Sequence, residues 1–261
     1  MRSHLDAVAA RDFLVLRPLR VELFGAGVGA DAGADAAAAF FREIEAPDFP
    51  RDTSPGAPKH ALPLTRFLYV ERDDYRDVDD ASFFGLAPGK VVGLRYAGLV
   101  RVAEVVRDAA SGEPVLLRCE YDHERRGFPD APAGAAAKVK GNLHWVSGAR
   151  PGAEPPCVEV RLYEHLFVTE TPGSTGDWER ELNPRSERVV RDARCNPSLL
   201  ARLHARGPAA AGTPLQLERV GYFVVDKDSK LGGAEEPLLV LNQTVGLKEA
   251  TEVKKVKGAA K

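Results

Sequence analysis

Cysteine is scarce in this chain and poorly placed for bridging. The 261 residues include three, Cys119, Cys157 and Cys195, widely spaced and without a C-x-x-C pair. That argues against a disulfide framework or a thiolate zinc site and favours a reducing compartment. Long apolar runs are missing too, since no stretch approaches the ~18 to 20 apolar residues of a membrane span. The first residues, MRSHLDAVAARDF, are charged and lack the apolar core of a signal peptide. Net charge is also small: 36 Lys and Arg against 38 Asp and Glu leave −2. A general binder of nucleic-acid backbone is clearly basic, so bulk charge makes no case for DNA. Any RNA contact must rest on local clusters and on bases. The expected setting is the cytoplasm, with no membrane partner.

Catalytic signatures are equally thin. Six histidines, His4, His60, His123, His144, His165 and His204, are scattered without HxH or HExxH spacing, so no metal site is expected. No G-x-S-x-G elbow occurs. Carboxylate pairs at Asp73-Asp74 and Asp79-Asp80 read as solvated turns, and His144 beside Trp145 as a partly buried structural histidine. GAGVGA at 25–30 fits a dinucleotide-binding pattern after the strand-like LRVELF. A nucleotide cradle needs repeated βαβ units, whereas Pro47, Pro50, Pro55 and Pro58 follow here. The segment reads as a surface insertion. No catalytic residue is expected.

What the chain does have is period-two alternation in short runs broken by Gly and Pro. Residues 67–71, 90–95, 99–106, 114–121, 142–147, 157–167, 215–225 and 238–245 read as strands. In the run 157–167, Val158, Val160 and Leu162 share one face while Glu159, Arg161 and Tyr163 share the other, as in a half-buried strand of a barrel or sandwich. Helical signals are few: residues 2–9, the segment 197–207 with Pro197 near its start and Gly207 at its end, and the Ala-rich 31–45. Residues 148–156 are the expected hinge between two β units. The fold class expected is all-β.

Arg and Gln forks are the side chains suited to reading RNA, because they offer paired hydrogen bonds in one plane to base edges. Unpaired loops are where bases are splayed for such reading. Gln216 and Arg219 flank a turn-like LERVGY, Arg95 sits in KVVGLRYAG, and Arg11 precedes the first strand. By residue type alone each is more often a surface or packing residue. Gln216 and Arg219 are also three apart, so a flat strand would point them to opposite faces. A bulge or strand end near Gly221 is needed to reorient one of them.

Three strings, KVKGNLHWVS at 138–147, QLERVGYFVVD at 216–226 and NQTVGLK at 242–248, resemble the C-terminal anticodon-binding region of the glutaminyl-tRNA synthetases. With FLYVERDDYRD, GLAPGKVVGLRYAG, VEVRLYEHLF and LNPRS the resemblance runs in order along most of the chain outside 24–60 and the tail. It implies two antiparallel β-barrels with exchanged strands that grip the anticodon loop of tRNA-Gln. The expected organisation is a lead-in at 1–22 pairing with the second barrel, a variable insertion at 23–60, barrels at 61–150 and 151–250, and a basic tail at 251–261. The resemblance assigns Arg11, Gln216 and Arg219 to the middle U of the anticodon and Arg95 to the first base. A family arginine at the third base falls on Gly85, a second first-base arginine on Gly93, and Gln243 replaces the usual arginine of N-R-T-V. The HIGH-type and KMSKS-type strings of the catalytic half are absent from the chain. The implied module therefore has no cofactor of its own, ATP and Mg belonging to a catalytic domain that would be its partner. Rival expectations are the equivalent barrel of a glutamyl-tRNA synthetase and a ribosomal-protein-type barrel binding rRNA.

Overall fold

The computed structural model describes residues 2–25, 28, 39–125, 128, 139, 141–174 and 176–246. It begins with α1 (Arg2–Val8), β1 (Ala10–Asp12), β2 (Leu14–Val15) and β3 (Pro18–Phe24), then β4 (Phe41–Pro47) and β5 (Lys59–Thr65). There follow β6 (Phe67–Glu71), β7 (Val91–Leu94), β8 (Gly98–Arg107), β9 (Pro114–Asp122), β10 (Asn142–Leu143) and β11 (Val146–Ser147). Last come β12 (Cys157–Tyr163), β13 (Glu187–Cys195), α2 (Pro197–Arg206), β14 (Pro214–Leu217), β15 (Gly221–Val225) and β16 (Val240–Gly246). Neither helix is long and apolar enough to cross a membrane. Of GAGVGA only Gly25 and Val28 lie among the described residues, and the basic tail lies outside them.

All strands except the β4–β5 hairpin belong to two seven-stranded sheets with one pairing plan. The first runs β10-β7-β8-β9-β3-β6-β11 and the second β1-β14-β15-β16-β12-β13-β2. Parallel pairing falls at the same two steps of each order, β10–β7 and β9–β3 in one, β1–β14 and β16–β12 in the other. The barrels are thus mostly, not wholly, antiparallel. In each order the two end strands are neighbours in the chain. β1 and β2 are separated only by Phe13, and β10 and β11 only by His144 and Trp145. One bent segment therefore supplies both edges and closes each sheet into a barrel.

Each closing segment comes from the opposite half of the chain. Residues 10–15 precede the strands of the first barrel yet close the second, and 142–147 precede those of the second yet close the first. β3, grouped by the sequence with the lead-in to the second barrel, instead pairs with β6 and β9 in the first. At the crossing between barrels the Glu71 carboxylate accepts the backbone N–H groups of Leu16 and Arg17 at 2.6 and 3.1 Å. Those donors have left one sheet without yet joining the other, and the carboxylate gives them the partner that neither ladder supplies.

Local sequence explains most elements. In β12 Val158 and Val160 are buried and Glu159 and Arg161 are less so, as their alternation predicts. In α2 the N-cap Asn196 accepts from Ser198 N–H at 3.2 Å, Pro197 opens the helix, and Leu199 and Leu203 face the core. The helix expected at 31–45 fails where it falls on described residues, 31–38 lying outside them. Residues 41–45 are strand, not the end of a helix, because Arg42, Ile44 and Ala46 alternate with Glu43 and Glu45 and the segment zips onto β5. β5 itself contains Pro63 and was not apparent in the sequence, since proline is tolerated in a hairpin strand of this kind. Three expected strands also stop short or break: 157–167 ends at Tyr163, 142–147 breaks at His144-Trp145, and 215–225 breaks at 218–220.

The barrels are joined through buried side chains. Phe13, 1% exposed, lies between two strands of the second barrel, yet its ring sits in the core of the first against Trp145, His144 and Tyr96. Beside it Asp12 is wholly buried, and its carboxylate accepts from Phe13 N–H at 2.7 Å, from Asn196 at 2.8 Å and from Arg202. Burial pushes the Asp12 carboxyl above its ordinary range, opposed by His60 and Arg202. Asn196 also donates to the Ala61 carbonyl at 3.0 Å, so α2 ties the hairpin to β1. Phe13→Ala is expected to cost about 3–5 kcal/mol, the usual range for emptying a fully buried phenylalanine site. Denaturant unfolding measures the loss, and Phe13→Leu should retain most of the stability.

Candidate nucleic-acid interface

Two turns of the same construction face each other where the barrels meet. Leu94-Arg95-Tyr96-Ala97-Gly98 joins β7 to β8, and Leu217-Glu218-Arg219-Val220-Gly221 joins β14 to β15. Each closes with a 3.0 Å bond, Ala97 N–H to the Leu94 carbonyl and Val220 N–H to the Leu217 carbonyl. The central residues are left-handed, Tyr96 at φ 65° and Arg219 at φ 66°, a conformation few non-glycine residues adopt. The glycine that ends each turn is there for space. A Cβ on Gly98 would come within 2.5 Å of the Asp122 carbonyl, and one on Gly221 would lie 3.1 Å from Gln243 Nε2 and the Val245 carbonyl. Gln243 is thus packed beneath the second turn.

The closing segments run alongside these turns in parallel. Arg11 is in register with Gln216 and Asp12 with Leu217, while Asn142 is in register with Gly93 and Leu143 with Leu94. Arg11 Nε donates to Gln216 Oε1 at 2.8 Å. β14 ends at Leu217, so the strand end and the left-handed turn reorient Arg219 relative to Gln216.

Carboxylates hold the turn arginines. Arg219 donates two bonds to Asp74 at 2.5 and 2.6 Å and lies 3.2 Å from His144 Nδ1. The bonds to Asp74 hold its guanidinium above the ordinary arginine value. Arg95 pairs with Glu218, which also accepts from the Tyr96 hydroxyl at 3.1 Å. Burial first, and then Glu218, pushes the Tyr96 hydroxyl up. The Tyr96 ring stacks on Phe13 with centroids 6.0 Å apart, and the Arg95 guanidinium lies 5.1 Å from it on the ring face.

The four residues singled out in the sequence therefore fall into two groups. Arg11 and Gln216 touch directly, Arg95 reaches the residue before Arg219, and among the described residues no hydrogen bond joins Arg219 to Gln216. Sequence reasoning missed Asp74, Glu218 and Tyr96. Asp74 is not in a solvated turn: it is 8% exposed, and its backbone carbonyl accepts Leu86 N–H at 2.7 Å. Its partner Arg219 is 145 positions away, so no local pattern could have marked it. The repeated L-x-x-x-G of the two turns was a readable signal. The two glycine departures also have structural causes. A Cβ on Gly85 would meet the Asp74 carbonyl at 2.3 Å and Phe83 Cζ at 2.4 Å, and one on Gly93 would meet Asn142 Oδ1 at 2.2 Å.

Two barrels that exchange strands and present opposed polar turns define a class of two-barrel recognition module. Family models described as "tRNA synthetases class I (E and Q), anti-codon binding domain" match residues 9–122 and 142–226, and the chain belongs to that family. Its curated relatives are glutamine–tRNA ligases. The chain is 36% identical to the enzyme of Lupinus luteus over 96% of its own length and 28% of that protein. It is 38% identical to that of Nitrobacter winogradskyi over 95% of its length and 39% of that protein. A Dictyostelium discoideum protein named as a probable glutamine–tRNA ligase is 35% identical over 97% of the chain. The chain spans between 28% and 39% of the length of the first two relatives. The two matched segments run from β1 to β9 and from β10 to β15, so each carries the closing strands of the other's barrel.

Gly85→Arg should not supply a new contact but should destabilise the protein, by about 1–3 kcal/mol or more, because the clash is with backbone. A lowered thermal midpoint checks this.

Proposed function

We propose that this chain reads the anticodon loop of tRNA-Gln as the anticodon-binding region of a cytoplasmic glutamine–tRNA ligase. The observation that carries the reading is the Arg11–Gln216 pair, held in register on neighbouring strands beside the Arg219 turn. Uracil offers two carbonyl acceptors and an N3–H donor. Guanidinium donors complement the carbonyls, and an amide can also accept the N–H. In the free chain Gln216 is 8% exposed and already bonded to Arg11, so its amide is preoriented.

Asp74 and Glu218 give the turn arginines acceptors while RNA is absent. Binding exchanges those carboxylates for base or phosphate oxygens, so an arginine is released only by a ligand that replaces its acceptor. With a net charge of −2, affinity on this reading comes from such local contacts rather than from bulk attraction to phosphate. The joining of glutamine to tRNA, with ATP and Mg, belongs to a catalytic domain in the portion of the relatives that this chain does not span.

Filter binding at fixed, near-physiological salt tests the reading, comparing tRNA-Gln with the same tRNA carrying C for the middle anticodon U. A clear preference for U is expected. Equal, salt-sensitive binding would reduce the chain to a backbone contact, and preference for tRNA-Glu would move it to the glutamyl enzyme. Arg219→Ala should cost about 1–3 kcal/mol with the cognate tRNA and much less with the C variant. Equal loss on both would make Arg219 a phosphate contact.

A further inference from the structure

The common plan of the two barrels makes positions in one the counterparts of positions in the other. In the second barrel the closing strand β1 places Arg11 against Gln216, two residues before Glu218. In the first barrel the closing strand β10 places Asn142 against Gly93, two residues before Arg95. Asn142 is therefore the counterpart of Arg11. Its side chain is exposed, and among the described residues its amide has no hydrogen-bond partner. It lies over Gly93, with Oδ1 2.2 Å from where a Cβ would stand, so the missing side chain at 93 is what makes room for the amide. β7 ends at Leu94 and Arg95 opens the turn that follows, but its backbone N–H donates to the carbonyl of Leu143, the neighbour of Asn142, at 2.9 Å. The amide thus stands next to the point where the closing strand meets Arg95, whose guanidinium lies over the Tyr96 ring.

We propose that Asn142 is a base-reading residue whose amide, together with Arg95, binds the Watson–Crick edge of an unpaired pyrimidine beside the base held by Arg11 and Gln216. This rests on the anticodon-reading function proposed above. Both pyrimidines offer the O2 carbonyl to a guanidinium donor. Next to it cytosine presents the N3 acceptor and N4 donor, and uracil the N3–H donor and O4 acceptor. An amide matches the first pair in one orientation and the second when flipped. Purines do not offer Arg95 the same acceptor: adenine has C2–H at that place and guanine a 2-amino donor. A guanidinium in the place of Asn142 would have donors only and could not accept from either pyrimidine.

The test is binding of the whole chain to anticodon stem-loop RNAs carrying C, U, A or G at the first anticodon position, where the family resemblance puts Arg95. A middle-position U-to-C pair runs in parallel. Unsubstituted protein should prefer C and U. Asn142→Ala should reduce that preference about 5- to 20-fold, the lower part of the range for one bidentate base contact. The middle-position preference and the thermal midpoint should stay unchanged. Gly93→Ala should cause the same selective loss by displacing the amide. An Asn142→Ala protein that keeps its pyrimidine preference, or loses affinity equally for all four RNAs, would overturn the inference while leaving middle-U reading intact. Failure of the unsubstituted protein to discriminate at either position would overturn both.

Discussion

The structure depends on where one aromatic ring is placed. Phe13 has its backbone in the closing segment of one barrel and its ring in the core of the other, against Trp145 and His144 of that barrel's closing segment. Each bent segment supplies the two edges its barrel needs, and the two bends pack on each other. The second barrel closes only with residues 10–15 from the far end of the chain, so its closure goes together with seating Phe13 in the core of the first. Asp12, the neighbour of Phe13, extends the junction through Asn196 and Arg202 to α2 and the β4–β5 hairpin.

That junction brings the two L-x-x-x-G turns together. Because β7 and β14 hold equivalent places in their barrels, docking the closing segments sets the corresponding turns face to face, with Glu218 between Arg95 and Tyr96. The rigidity comes from buried packing and from left-handed residues fixed by tight turns, while the polar groups stay near the surface. Such a surface is organised before any ligand arrives, and its arginines are already paired. On the proposed reading, donors that exchange one oxygen acceptor for another favour selectivity over raw attraction, in keeping with a chain that carries almost no net charge.

Much of this was legible in the sequence, and the gaps share a cause. Alternation marked β6, β7, β8, β9 and β12 because their faces differ in burial. Pro197 and Gly207 marked α2 because helix ends are set by local chemistry. The misread segments were those whose state is set by a distant partner. Residues 41–45 look helical beside an Ala-rich run, yet they form a strand because β5 is there to pair with. Asp74 looks like a turn carboxylate until Arg219 arrives from 145 positions away. The expected strands 142–147 and 215–225 were each interrupted where a barrel closes or a turn carries the site, since periodicity does not register a one- or two-residue bend.

By itself, then, the sequence determined the class of fold and the family, because alternation, caps and recurrent strings are properties of neighbouring residues. The tertiary structure alone decided which half closes which barrel, that β3 belongs to the first, and which carboxylate holds each arginine. It also placed Asn142 over Gly93 as the counterpart of Arg11. Those facts depend on pairing between segments far apart in the chain, and such pairing is chosen by the packing of whole faces rather than by local spacing.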